Sequence, residues 1–447
     1  MARKSRMSRR AAPASQDRTR YSLAVAALVA TIAGSSLLVD PRAEASFDAP
    51  KRLISLIGIV AAFLIMFGFS DPRPLPQMRN LGREQRVALL CFLGAVGLGL
   101  IAAIASPRRA ISLDTARMLI LFSLLLPIGA SQCLQGRRSQ ILLAVFLVVS
   151  AINGAISILQ STGVFQPLAI EAISGRVASV GLIGNEGYLA LIMALAEIGS
   201  VGVGLFASSP SIRVLAWSGS ILFLTALAVS RNMTGWLALL IGVIPLAWSQ
   251  LKNRQRRLSA VAATLVFLLA LGTLPQARGR LRVAILEARA GNWDSLSSNR
   301  LAPWAAALEM IAERPLLGFG AGTFGAEFVV HRLQAEIQWG CRLTTPTLMS
   351  SYAQVHCDYL QVFAEMGIPA GLAAIASLGA LLVGLLRTSA HAPEPVRQEA
   401  IVVLAIVLAG STAALLWSPL QDPPLAVPLL LAAGRGWSLL GEVDPST

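Results

Sequence analysis

Apolar runs of roughly 17 to 22 residues recur along almost the whole chain, and at 1.5 Å of rise per residue each crosses about 30 Å of hydrocarbon as a helix. Twelve are read, at approximately 21–39, 53–69, 87–105, 116–134, 140–159, 187–206, 212–229, 233–248, 258–274, 366–386, 400–418 and 424–440. Lipid offers no partner to backbone N–H and C=O groups, so runs of this length predict helices that satisfy their own backbone. The pattern therefore predicts an all-α, polytopic transmembrane bundle of about twelve spans. It breaks once at length, over residues 275–365, which predict a helical loop outside the membrane between spans nine and ten. The division expected is a basic tail at 1–20, spans one to nine within 21–274, the loop at 275–365, spans ten to twelve within 366–440, and a short tail at 441–447.

Composition removes the alternative of a water-soluble globule, with 55% hydrophobic residues, 13% charged residues and a mean hydropathy of +0.67 over 447 residues. Arg3, Lys4, Arg6, Arg9, Arg10, Arg18 and Arg20 precede the first span. No convincing small-x-small cleavage site follows, so this span reads as a retained helix. Short loops that stay in the cytoplasm collect Arg and Lys. An inside amino terminus gives the cytoplasmic segments 20 such residues and the short outer loops 8. Both termini are thus expected inside and the 275–365 loop outside. The net charge of +14 is accounted for by this orientation and by anionic lipid headgroups, and calls for no nucleic-acid partner.

Chemistry-bearing residues concentrate in the loop. There is no Walker motif, no clustered Cys/His set and no DxD, so no cofactor and no metal is expected. Ser298 or Asn299 is placed to cap a helix starting near Arg300, with Trp304 one turn on and on the same face, and Pro315 and the GFGAG run ending it. The GFGAG run lacks a lysine and a preceding strand, which favours tight chain reversal over phosphate binding. His356 stands just before a helix, DYLQVFAEMGIPAGL, that carries Asp358 and Glu365 into the bilayer. A carboxylate at the start of an apolar span needs a partner, and marks a candidate site. Glu197, mid-way along the sixth span, reads either as a lining of a lipid groove or as a neutral, hydrogen-bonded glutamate, and Arg435 as a cation that snorkels to the interface. Cys341 and Cys357 both fall in the loop, where an oxidising compartment permits a disulfide or two free thiols.

The order SSNR, W, ERPLLGFGAGTF and HCDYLQVFAEMGIPAGL resembles the O-antigen ligase and polysaccharide polymerase family. Upstream, AVSRNMTGWLALL is similar to its serine-arginine element, giving Ser230 and Arg231, and VGLIGNEGYLALI to its asparagine-containing segment, giving Asn185. One position departs: Cys357 stands where the family usually has asparagine, and Asp358 is the residue placed to substitute for it. With twelve spans, Arg176, Asn185, Arg231, Arg300 and His356 all reach one face.

The resemblance implies a glycan donor on polyprenyl pyrophosphate, a glycan or lipid A core acceptor, and residence in a bacterial inner membrane. It implies Arg231 and Arg300 as pyrophosphate clamps, with Arg176 a third candidate and Asn185, Trp304 and Asp358 as further binding residues. His356 is then the general base on the acceptor hydroxyl in an inverting displacement, and Glu365 orients His356 or binds a sugar hydroxyl. A transporter of lipid-linked glycans, holding phosphate with the same arginines, and an inactive scaffold stay open beside this reading.

Overall fold

The computed structural model describes residues 15–43, 45–68, 81–164, 178–251, 275–291, 297, 299–343 and 352–442. Among these there is helix and no strand. The helices are α1 (Ser15–Leu37), α2 (Ala49–Phe63, running on into a π-helical stretch Leu64–Gly68), α3 (Arg83–Ala105), α4 (Arg109–Ser123) and α5 (Leu125–Ala130). Then come α6 (Arg137–Ser161), α7 (Glu186–Phe206), α8 (Pro210–Ser230), α9 (Met233–Gln250) and α10 (Pro275–Arg289). The last five are α11 (Leu301–Glu313), α12 (Phe324–Trp339), α13 (Asp358–His391), α14 (Val396–Leu416) and α15 (Pro423–Leu439). Among the described residues eleven segments are long and apolar enough to cross a membrane, with α4 and α5 forming one of them, and each overlaps an expected span. The remaining expected span, 258–274, lies outside the described residues. The chain is a multi-pass membrane protein.

Apolar residues on every side of α7 put it at the centre, and 78% of its most apolar window is buried by neighbours. Where two helices must come close without a hydrophobic drive between them, small residues allow it. Gly129 of α5 and Gly434 of α15 are such a pair: a Cβ on either would overlap the other helix's backbone. Glu197 lies between α7 and α8, where Ser220 donates to its Oε1 at 2.6 Å. This is the hydrogen-bonded glutamate of the two alternatives.

Connections alternate between two ends of the bundle. At one end Lys51 donates to the carbonyls of Leu182 and Ile183, at 2.8 Å each, and Ser106 donates to the carbonyl of Phe319. This is the loop end, which α11 and α12 cover with a second small core of Ala302, Ala306, Met310, Phe324, Phe328 and Val355. At the opposite end Arg387 pairs with Glu84, and Gln85 donates to the carbonyl of Trp437 at 3.0 Å. Arg435 is here too, and it does not snorkel. It is buried, because Glu399 takes its guanidinium in two 2.8 Å bonds and Glu442 lies 3.2 Å away. Two carboxylates within reach hold the cation in the protein more firmly than headgroup water would. All four cysteines are free, so Cys341 and Cys357 take the second of their two alternatives.

Candidate active site

Three alternate glycines shape the turn between α11 and α12. Gly318, Gly320 and Gly322 have φ of +61°, +102° and +75°, a region that side chains other than glycine seldom enter. A Cβ on Gly322 would also overlap Thr115 of α4. The turn seats on a kink in α13 at Gly367, itself at φ +85°, where Ile368 donates its amide to the carbonyl of Pro315 at 2.7 Å. Glu365 then takes the turn's free amides. Its carboxylate accepts from Gly322 N at 2.8 Å, Phe324 N at 3.1 Å and Gln361 Nε2 at 3.2 Å. The GFGAG run is a chain reversal, as its sequence suggests, and a resident carboxylate holds two of the amides in and just beyond it.

The same network reaches His356. Gln361 turns its carbonyl oxygen to Val355 N at 3.1 Å, so Glu365 fixes Gln361 and Gln361 fixes the residue before the histidine. His356 itself adopts φ +56°, and a non-glycine residue there carries roughly 1 to 3 kcal/mol of strain that its surroundings must hold. Asp358, first residue of α13, accepts from Leu420 N at 3.1 Å and so ties the histidine's strand of chain to the α14–α15 connection.

That tie brings in Trp417, which the sequence did not single out. Its indole is a neighbour of both expected reactive groups. The His356 ring is 5.0 Å away, and the Arg300 guanidinium carbon stands 5.5 Å over its ring. Gly187 admits this approach, since a Cβ there would come 2.5 Å from Trp417 Cζ2. Tyr188 meets the indole edge-on at 5.9 Å and donates its hydroxyl to Gln354 Oε1 at 3.1 Å, while Tyr352 meets His356 edge-on at 5.9 Å. A tryptophan ending an apolar span reads from sequence as an interfacial anchor, so nothing marked Trp417 out. Gln361 did leave a signal, standing one helical turn before a buried glutamate.

Arg300 enters the cluster from the start of α11. The amides of Arg300 and Leu301 donate to Ser297 Oγ, at 2.9 and 2.7 Å. Ser297 therefore serves as the cap instead of Asn299, which is turned into the left-handed region at φ +63°; Ser298 lies outside the described residues. Trp304 follows one turn later, packed on the loop core. Arg300 Nε, Trp304 Nε1, His356 Nδ1 and Trp417 Nε1 are all buried without a hydrogen-bond partner. A buried polar atom left unpaired costs about 1 to 3 kcal/mol, and a polar ligand that reached these four would remove that cost.

Electrostatics sets the protonation. Burial, and then the neighbouring Arg300 charge, hold the His356 pKa down at about 4, so the imidazole is neutral at physiological pH. Burial also lowers the Arg300 pKa, a shift that leaves arginine charged.

The other expected residues divide. Asn185 caps α7, accepting from Gly187 N at 2.8 Å and Tyr188 N at 3.2 Å, and so holds the two residues that shape the Trp417 contact. Arg231 ends α8 in the left-handed conformation at φ +55°, exposed at the loop end beside Asn232, which caps α9. Arg176 lies outside the described residues. The structure thus brings Arg300 and His356 to Trp417, keeps Trp304 one turn along α11 from Arg300 against the loop core, and puts Asp358 and Glu365 behind the histidine as supports. Cys357 occupies the position before α13 that Asn185 and Asn232 occupy before theirs, yet its thiol offers the Tyr359 and Leu360 amides only a weak acceptor. Cys357→Asn is expected to raise stability by about 1 kcal/mol. A thermal melt of the detergent-solubilised variant reads this, and an unchanged or lower melting temperature refutes it.

Residues 218–375 match the family model described as O-antigen ligase. The matched segment holds Arg231, Arg300, Trp304, His356, Asp358 and Glu365, while Asn185 and Trp417 lie outside it. Over that segment the chain is similar to O-antigen ligases. No curated protein matches the chain.

Proposed function

We propose that the chain is a membrane glycosyltransferase that moves a glycan from polyprenyl pyrophosphate to an acceptor hydroxyl in a single inverting displacement. One observation carries the reading: a neutral imidazole and a guanidinium both lie against one half-buried indole, and His356 Nδ1 and Arg300 Nε have no protein partner. In the reaction the acceptor oxygen attacks the anomeric carbon as the bond from that carbon to the phosphate oxygen breaks. The hydroxyl proton passes to His356. The electron pair leaves with the polyprenyl pyrophosphate, whose charge Arg300 meets directly, with Arg231 and Arg176 as further clamps. Trp304 offers its indole N–H to the bound sugar or phosphate. Glu365, Asp358 and Asn185 act as positioning residues, through Gln361, Leu420 and Tyr188 respectively.

A pyrophosphate is already a good leaving group once its charge is matched, so the chemistry needs cations in place and draws on arginine for them. The charge pattern of the loops favours a loop end outside and both termini in the cytoplasm, and the family resemblance favours a bacterial inner membrane as the location. Proteoliposomes holding the purified protein, a polyprenyl-pyrophosphate oligosaccharide and a sugar acceptor provide the test. A new glycosidic product, formed at the same rate with excess EDTA, is expected. Movement of the donor across the bilayer without product means a transporter, and neither product nor movement means a scaffold.

The low His356 pKa gives the reaction a pH signature. Only neutral imidazole accepts a proton, so kcat/KM, which reports the free protein, should fall on acidification through a limb below the ordinary 6.5 and toward 4. Bound pyrophosphate adds negative charge beside the ring and offsets Arg300, both of which favour the protonated form. The acid limb of kcat should therefore lie at higher pH than that of kcat/KM, and coincident limbs near 6.5 would contradict the assignment.

A further inference from the structure

We infer that α12 lies in the lipid interface at the loop end of the bundle, with its outward face among headgroups and upper acyl chains. The helix is apolar on two opposite sides. Phe324, Phe328, His331 and Ala335 turn inward to the loop core. Ala326, Val329, Val330, Leu333 and Ile337 are exposed, the last by 81%. At 3.6 residues per turn these five span a stripe of about 100°, as wide as the buried face of an ordinary amphipathic helix. Polar residues flank it, Arg332 with Glu336 on one side and Gln334 with Gln338 on the other. An apolar stripe left in water is a liability, and a helix built this way has something to cover it.

The level of the helix indicates what covers it. Beyond its kink, α13 runs without charge from Gly367 to Leu386, and those twenty residues supply the roughly 30 Å that hydrocarbon requires. Gly367 therefore marks the membrane edge. Pro315 bonds to Ile368 there at 2.7 Å, which puts the 71% exposed Leu316 at that edge. Ser106, directly after the last residue of α3, holds Phe319 at the same height. Helix α12 starts five residues past Phe319, and Arg108, at the α3–α4 connection, bonds Glu327 of its first turn at 2.8 Å. Its outward stripe thus continues the lipid-facing surface formed by exposed Ile104 and Ile111 of α3 and α4. Trp339 and Arg342, both exposed at its far end, are residues that settle at headgroup level. Continuity and height favour lipid over a second protein as the occupant.

Photocrosslinking in the full-length protein tests this independently of any enzymatic activity. Benzoylphenylalanine is placed at position 330 or 337, and the protein is irradiated in nanodiscs of phosphatidylethanolamine and phosphatidylglycerol. Position 215 on the lipid-facing side of α8, 73% exposed, serves as the positive control. Phospholipid adducts by mass spectrometry at 330 and 337, as at 215, are expected. Crosslinked dimers at these positions, or no lipid adduct there while 215 is labelled, would overturn the inference.

Discussion

His356→Asn is expected to lower glycan transfer by about 10² to 10⁴, the contribution a positioned general base makes, or roughly 3 to 5 kcal/mol of barrier. Asparagine is a better probe than alanine here. The residue sits at φ +56°, and asparagine tolerates the left-handed region more readily than most residues, whereas alanine adds backbone strain to the loss of the ring. The variant should therefore melt with the wild-type protein. Donor affinity should change little, because the pyrophosphate is assigned to arginine, and the loss should appear in kcat under saturating donor. His356→Ala should lose at least as much turnover with some loss of stability. Full turnover in His356→Asn would remove the base from the mechanism and leave the histidine as packing against Trp417.

Three non-glycine residues have positive φ among the described residues, namely Arg231, Asn299 and His356. Each stands at or beside a position expected to carry chemistry, and each lies where a helix ends or is about to start at the loop end. Strained backbone persists only where the surroundings over-determine it, and it clusters where a side chain must be aimed against local preference. For His356 the over-determination is visible, in the bond from Val355 to Gln361 and from Gln361 to Glu365. For Arg300 it is the Ser297 hydroxyl, which takes two amides around the left-handed Asn299. The site is thus assembled by backbone geometry as much as by side-chain choice.

This division explains what the sequence disclosed. Spans were legible because length and hydropathy are the whole requirement of the bilayer. Arg300 and His356 were legible as polar groups in an apolar setting, reinforced by the order of motifs around them. Glu365 was legible as a residue in need of partners, but those partners are amides more than forty positions away on a glycine turn, and backbone donors leave no side-chain pattern. Trp417 was silent because its role comes from the Asp358 bond that draws its connection over the histidine. Arg435 misled for a related reason, since position along a span suggests snorkelling and the two acidic partners come from neighbouring turns of the fold.

Glu365→Ala should be the most destabilising single change in the loop. The carboxylate is 4% exposed and accepts three hydrogen bonds, and truncation leaves all three donors buried without partners at about 1 to 3 kcal/mol each. Partial relaxation of the turn recovers some of this, so a loss of about 3 to 5 kcal/mol is expected. Glu365→Gln separates shape from charge: one carbonyl oxygen remains, and the new amide group faces a donor where an acceptor is needed, so this variant should fall between wild type and Glu365→Ala. The consequence for function follows the chain of bonds to Val355. As Gln361 loses its anchor, His356 is released from the left-handed conformation, and kcat should drop even in Glu365→Gln protein that stays folded, with KM for the donor nearly unchanged because Arg300 is held separately by Ser297. Thermal melts and steady-state kinetics on the two variants read both effects. A Glu365→Ala protein that melts and turns over like wild type would mean that the turn is held by its contacts with α3 and α4 alone, and that the route from Glu365 to the histidine carries no load.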